Sequence, residues 1–437
     1  MVMALEGIKV IDASQVAAVP MCARHLADYG ADVIHIESAK TGDSWRNLQA
    51  GIGGGPAGVP SDIPYNWEAF NRNKKSLALD LATEDGRKIA HRLVEQADVF
   101  VTNLRLYERA KFGLEYETLK KINPRLVYGS VTGHGLHGPE KDVPAYDTTV
   151  YFARSGINHM LTVPGMSPPN SRAAFGDVMA AITLAFGIVT ALYARDRVGE
   201  GQQVHTSLLN AGIYQLTFDM SSALSTGQDE ATYKLETFEG TDEERQERDK
   251  LMAESQDAIG RLADFIRARL PNPTANFYRT KDGKWIRFNA LQAERYWGKF
   301  CHMIEREDLE HDPRYATIDD RKANSKELYY LFKEVFLTKT MEEWRPLIKV
   351  IPSSPVQNLL EVIEDPQVKA NNMFLDYEHP TYGPMKIMAS PLNLSKTPAT
   401  IREPAPEFGQ HTEEILLEAG FEWDEIEKFK DKGVIPE

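Results

Sequence analysis

Ile8-Lys9-Val10-Ile11-Asp12, then Met21 to Tyr29, then Gly30-Ala31-Asp32-Val33-Ile34-His35-Ile36-Glu37: this opening run decides the fold class. The first five residues form a short apolar segment suited to a buried strand. Pro20 stands where a helix can begin, because the N–H it lacks would have had no partner there. Gly30 closes that helix in the left-handed conformation that only glycine adopts freely, and Asp32–Glu37 reads as the next strand. The rhythm continues through a strand at Ser76–Leu81, a helix from Glu84 to Gln96, a strand at Asp98–Thr102, a helix from Tyr116 to Ile122 and a strand at Leu126–Val131. Strands separated by helices pair in parallel, which predicts a doubly wound sheet covered on both faces.

The chain is thus expected to be α/β, with a mostly parallel, Rossmann-like large domain and a smaller α+β domain. With 437 residues, two cores are expected. The large domain is placed at 1–225 and completed by 365–437, a charged linker or insertion at 226–270, and the small domain at 271–364. Within the linker, Glu236 to Arg269 reads as an exposed helix opened by a capping box of Thr241 and Glu244. Phe277–Phe288 reads as a hairpin turning at Asp282-Gly283, followed by helices near Arg295–Ile304 and Lys326–Phe336. Pro380 to Pro406 reads as an extended connection, followed by helices at Thr412–Ala419 and Trp423–Lys432.

A net charge of −14 argues against nucleic acid or an anionic membrane as partner. Two distant cysteines, Cys22 and Cys301, offer no disulfide framework, and the eleven histidines no metal-ligand spacing, so no metal is expected. The N-terminus lacks a signal pattern, and a cytoplasmic setting is expected. The apolar stretch Val178–Ala194 is at the lower limit for a bilayer span and reads as a helix apolar on every face, hence buried in a core. Gly133-His134-Gly135-Leu136-His137-Gly138 fits a dinucleotide pattern, but Pro139 and Pro144 deny it the helix that would face a pyrophosphate. No P-loop is present, and Ser130 is out of register for a hydrolase elbow.

Ligands bind parallel sheets at the carboxyl ends of the strands. The basic residues Lys40, Arg72, Lys74, Lys75, Arg105, Arg109 and Lys111 cluster in the expected loops and suit a ligand with several phosphates. Asp177, at the first turn of the long apolar helix, is either a simple N-cap or a carboxylate kept ionised by the helix dipole for chemistry.

Taken in order, Leu5–Asp12, Gly30–Glu37, Asn71-Arg72-Asn73-Lys74-Lys75-Ser76, Ala145-Tyr146-Asp147, Gly176-Asp177, Glu342-Glu343-Trp344, Asp365-Pro366-Gln367 and Ala405–Thr412 resemble the family III CoA-transferases. The resemblance implies that Asp177 is the nucleophile. It would attack a donor acyl-CoA, succinyl-CoA being one candidate, and hold CoA as an aspartyl thioester until a carboxylic acid takes it. CoA contacts are implied at Val16, Ala18, Lys75, Asn103 and Lys111, beside Lys40, Arg72 and Arg105 from the charge pattern. The acid pocket is expected at Gln15, Tyr146 and Gly176, with Tyr151, Phe152 and Met160 hinting at a bulky or aromatic acid. CoA is substrate here, so no permanently bound cofactor is expected. The resemblance also implies an interlocked homodimer, with a heteromer with a paralogue as alternative. The chain departs from the family at Ser38 and Lys111, where arginine is usual, and at Arg105-Leu106-Tyr107. The rival readings are a 2-methylacyl-CoA racemase, whose histidine would fall at Tyr146, and a partner subunit of a heteromeric transferase.

Overall fold

A computed structural model describes residues 2–46, 61–162, 167–229, 246 and 258–437. The chain divides into two compact units, Met1–Tyr233 with Asn372–Glu437, and Lys234–Asn371.

The first unit is built on six parallel strands, β1 (Lys9–Asp12), β2 (Asp32–Glu37), β3 (Lys75–Ala78), β4 (Val99–Thr102), β5 (Val127–Thr132) and β6 (Gln203–Ser207). Their order is β3-β2-β1-β4-β5-β6, so the winding reverses between β1 and β4, the crevice where such sheets bind ligands. Alternate residues feed two cores. Val10, Val33, Val99 and Val127 pack with α1 (Ala18–Asp28) and α7 (Phe175–Val198). Ile11, Phe100 and Tyr128 pack with Ile89 and Leu93 of α3 (Glu84–Glu95), Leu119 of α5 (Tyr116–Ile122) and Ile415 of the helix Thr412–Glu418. The other helices of this unit are α2 (Tyr65–Asn71), α4 (Leu106–Phe112), α6 (Ile157–Leu161), α8 (Leu208–Gln215) and α9 (Thr217–Thr226), with a π-helical segment at Thr148–Arg154.

Three expectations need correction. Strand β6 was not foreseen, because Gln-Val-His-Thr-Ser is polar and pairs only with β5 at the sheet edge. The connection after Pro380 is preceded and overlapped by an antiparallel hairpin, Phe374–His379 with Gly383–Met388, whose exposed positions and Pro384 blur its alternation. Helix α7 is not enclosed: Phe186 is 74% and Tyr193 62% exposed, and Ile182 and Val189 also face outward. Its inner face is filled by α1 and the sheet, and Tyr214 of α8 and Phe218 and Leu224 of α9 are exposed as well. By length and composition α7 could cross a membrane, but its inner face lies against the sheet.

The second unit holds a three-stranded antiparallel sheet, β7 (Phe277–Arg279), β8 (Trp285–Phe288) and β9 (Ser353–Pro355), with the expected Asp282-Gly283 turn between the first two. Helices Ala258–Ala268, Ala293–Met303 and Ser325–Phe336 accompany it, around a core of Tyr278, Phe288, Phe300, Phe332, Phe336 and Trp344. The capping box at Thr241 and Glu244 lies outside the described residues.

Candidate active site

A cleft of about 870 Å³ opens at the carboxyl ends of the strands, within the range of small-molecule sites. Each wall is a loop that follows a strand: Ala13–Val16 after β1, Glu37–Asp43 after β2, Leu79–Ala82 after β3, Leu104 and Glu108 after β4, and Tyr146–Thr148 after β5. Ala173, Ala174 and Asp177 close it from the start of α7.

The β1 loop is fixed from below by a buried chain of charges. Lys74 Nζ donates to Asp12 Oδ2 at 2.9 Å, to Asn71 Oδ1 at 2.7 Å and to the Pro20 carbonyl at 2.8 Å. His35 Nδ1 lies 2.9 Å from Asp12 Oδ2, and its Nε2 lies 3.4 Å from Asp43 Oδ2. Asp43 in turn accepts from the Val16 N–H at 3.1 Å and the Trp45 N–H at 2.8 Å. Val16 thereby keeps a left-handed backbone, φ +69°, a conformation costly for a β-branched residue. Burial opposes charge on His35, but the carboxylates of Asp12 and Asp43 outweigh it and hold the imidazole up at about 9. Burial likewise works against Asp12, yet Lys74 and His35 pull its carboxyl far below the usual range. Beside this chain, Asn103 clamps Gln15, accepting from its N–H at 3.0 Å and donating to its carbonyl at 2.7 Å.

Asp177 is the third residue of α7 and is partly exposed to the cleft. It is not the residue that caps the helix. Asp147, 3% exposed, accepts from the Gly176 N–H at 3.2 Å, while no side-chain hydrogen bond to Asp177 forms among the described residues. Burial first, and then the charge of Asp147, push the Asp177 carboxyl up to about 7. Asp147, not Asp177, thus takes the amide at the helix end, and burial works against charge on Asp177. Ahead of Gly176, Ala174 adopts φ +71°. Gly176 allows the turn to close on Tyr151, since a Cβ there would sit 2.5 Å from the ring carbon Cγ.

The other expected site residues separate into groups. Gln15, Val16 and Tyr146 line the cleft, and Gly176 lies buried behind Asp177. Lys40 is at the rim, 2.7 Å from Asp80, whose carboxyl is held low first by that contact and further by Lys111. Arg105 is exposed at the start of α4, and Ala18 is buried in the first turn of α1. Arg72 is misassigned: it is 1% exposed, bound to Asp28 through two nitrogens and to the Met388 carbonyl at 2.7 Å, tying in the C-terminal hairpin. Lys75 begins β3, so it lies at the opposite edge of the sheet, 2.9 Å from Glu414. Tyr151 and Phe152 are core residues and do not line the cleft. Neither His134 nor His137 lines it. Leu79–Ala82, Asp43 and Asp147 also line the cleft; they carry no positive charge, and only their place in the loops after β3, β2 and β5 marks them. No metal-holding cluster is found among the described residues.

The family model of CoA-transferase family III matches residues 5–240 and 254–412. The (R)-2-hydroxy-4-methylpentanoate CoA-transferase of Clostridioides difficile is 32% identical over 99% of this chain and 100% of its own length. The cinnamoyl-CoA:phenyllactate CoA-transferase of Clostridium sporogenes is also 32% identical, over 98% of this chain and 97% of its own. The succinate–glutarate CoA-transferase of Agrobacterium fabrum is 30% identical, over 95% of each chain. Among solved structures, a CAIB/BAIF family protein from Brucella suis superposes with a TM-score of 0.74 at 26% identity, covering 96% of this chain and 100% of that one. A ligand cleft at the switch point of the sheet, with a carboxylate in its wall, is thus joined to an end-to-end likeness, and the chain belongs to the family III CoA-transferases, enzymes that act on CoA thioesters.

Proposed function

We propose that the protein moves CoA from a donor acyl-CoA to an organic carboxylic acid, with Asp177 as covalent nucleophile. The observation that carries this reading is a carboxylate with no hydrogen-bond partner among the described residues, held in the first turn of α7 and facing the cleft. An Asp177 oxygen adds to the donor carbonyl, the C–S bond breaks, and CoA thiolate leaves behind a mixed anhydride. The thiolate attacks the aspartyl carbonyl, releasing the donor acid and forming an aspartyl-CoA thioester. The acceptor carboxylate attacks that thioester to give a second anhydride, and the thiolate then takes the acceptor acyl group and frees Asp177.

The acceptor is inferred to be a bulky or aromatic acid. Trp45, Phe112 and Tyr146 in the cleft wall support this, as do relatives named for (R)-2-hydroxy-4-methylpentanoate and phenyllactate. Succinyl-CoA as donor has support in the relative named for succinate and glutarate. The inferred CoA contacts are Val16 in the cleft wall, with Asn103, Lys40, Arg105 and Lys111. The uncovered apolar face of α7, α8 and α9 supports an interlocked second copy as the occupant, and the buried free thiols of Cys22 and Cys301 suit the cytoplasm. The test is a matrix of acyl-CoA donors and carboxylic acids read by mass spectrometry, with Asp177→Ala beside the wild type. Transfer that survives in Asp177→Ala at more than a few per cent refutes the nucleophile. Deuterium exchange into a 2-methylacyl-CoA without any covalent adduct makes the chain a racemase.

A further inference from the structure

The reading of Asp177 leaves a second carboxylate in the same wall unexplained. Asp147 lies on the loop after β5, is almost fully buried, and lines the cleft beside Asp177. Its Oδ2 accepts from the Gly176 N–H at 3.2 Å. The amides of Thr148, Ala174 and Asp177 also point their positive ends at it, partly offsetting the burial that raises its carboxyl. Two carboxylates therefore share one helix N-terminus, and only Asp147 holds its amides. Of the charged groups around it, Asp147 is the one whose charge pushes the Asp177 carboxyl up. The titratable groups on neighbouring elements are Cys22, Arg24, His25 and Asp28 on α1, Tyr151 and Arg154 on the π-helical segment, His205 on β6 and Tyr214 on α8, with Glu37, Asp43, Asp80, Glu108 and Tyr146 elsewhere in the cleft wall. Arg24 is bound to Asp28 and Arg154 to Glu140.

We propose that Asp147 is a positioning residue that also sets the reactivity of Asp177, placed so that acylation of Asp177 relieves a repulsion between two carboxylates. The inference rests on the reading of Asp177 as nucleophile. When an Asp177 oxygen bonds to the thioester carbon and the C–S electron pair leaves on CoA, an anionic carboxylate becomes a neutral anhydride. Protonation removes the same charge, so whatever disfavours the Asp177 anion favours the acylated and the protonated forms alike. Asp147 thus costs ionisation at low pH and favours the covalent intermediate above it. Its hold on the Gly176 amide fixes the first turn, and with it the direction in which Asp177 faces the cleft.

The experiment measures adduct formation at Asp177 with donor acyl-CoA, trapped with hydroxylamine or read as peptide mass, from pH 4.5 to 9. In wild type the rate should rise with pH through about 7, where the Asp177 carboxyl is held. Asp147→Asn keeps an acceptor for the Gly176 N–H but removes the charge. It should move this limb down by about one pH unit or more, and lower the equilibrium adduct fraction about tenfold at pH 8.5. An adduct in Asp147→Asn with the wild-type limb refutes the inference and leaves the nucleophile standing. No adduct in wild type refutes the nucleophile itself. Should Asp147→Asn fail to fold, Asp147→Ser, which keeps an oxygen acceptor without the charge, takes its place: a lowered limb is expected, and a limb at the wild-type position refutes the inference.

Discussion

Gly176→Ala adds one methyl group at the point where α7 meets the π-helical segment, and the structure gives the size of the conflict. The new Cβ would lie 2.5 Å from Tyr151 Cγ, 2.6 Å from its Cβ and 2.8 Å from Cδ1, whereas carbon atoms pack at about 3.5–4.0 Å. Tyr151 cannot retreat. It is 6% exposed, its carbonyl accepts from Ser155 Oγ, and a Cβ on Gly212 would stand only 2.5 Å from that same carbonyl oxygen. Forced overpacking of this kind costs about 1–3 kcal/mol, and contact with ring carbons near the backbone belongs at the upper end. Alanine is better than glycine in a helix by about 1 kcal/mol, which leaves a net loss of roughly 2 kcal/mol.

The relief open to the protein is a shift of the α7 start by about 1 Å, the difference between the two contact distances. That shift carries Asp177 with it and stretches the Asp147 hydrogen bond. A 1 Å misplacement of a reacting group can cost about 10²-fold in rate. Urea unfolding should therefore show the stability loss, and steady-state transfer should show a kcat loss of ten- to a hundredfold. Gly187→Ala, on the same helix, is the control. Its Cβ would meet only the Val204 Cγ1 methyl at 2.6 Å, on the edge strand β6, so stability should fall while kcat holds. A Gly176→Ala protein with wild-type stability and wild-type kcat would refute the steric account of the Gly-Asp turn.

Three further outcomes follow from the charges beneath the cleft. Lys74→Met strands the buried Asp12 carboxylate, and breaking such a pair costs about 3–5 kcal/mol, read as a drop in the urea midpoint; a loss under 1 kcal/mol contradicts the network. His35 has its folded value raised to about 9, so its stabilisation is complete below the ordinary histidine range and is lost as pH climbs towards 9. The loss is at most roughly 3 kcal/mol, and His35→Asn should abolish that slope in chemical unfolding between pH 6.5 and 9. Asn103→Ala removes two hydrogen bonds to the Gln15 backbone, worth about 1–2 kcal/mol in ordering the loop. KM for acyl-CoA should rise several-fold with little change in thermal midpoint.

The parallel sheet was legible because its strands are buried on both faces and read as apolar runs such as Val10–Ile11 and Val99–Val101. Strand β6 was not, since an edge strand can afford Gln203 and His205, and neither was the mostly exposed outer face of α7, because its residues are as apolar as those that face the core. Cations misled in a specific way. Arg72, Lys74 and Lys75 stand together in the sequence, yet their loop precedes β3, so it falls at the edge away from the cleft or turns inward. Lys40 and Lys111 follow their strands and reach the rim. A cation's role was set by the strand end it occupies, and residue type alone could not reveal it.

Two of the helices that open beside the cleft are treated alike, and this bears on how an acidic protein can work on a polyanionic substrate. At the entry to α1, Asp43 occupies the Val16 amide; at the entry to α7, Asp147 occupies the Gly176 amide. Each aspartate fills a position where a phosphate would otherwise be attracted. Free helix termini in this wall would draw the phosphates of CoA towards Asp177, the proposed nucleophile, and a phosphate there would add a third negative charge to the pair. With those amides engaged, fixed positive charge accessible to solvent remains at the rim, on Lys40 and Lys111 near Asp80. Attraction for the phosphates and chemistry at the thioester are thereby separated along the cleft. On the proposed reading of Asp177, the same internal aspartates that stiffen the loops would keep the anionic end of the substrate away from the attacking carboxylate.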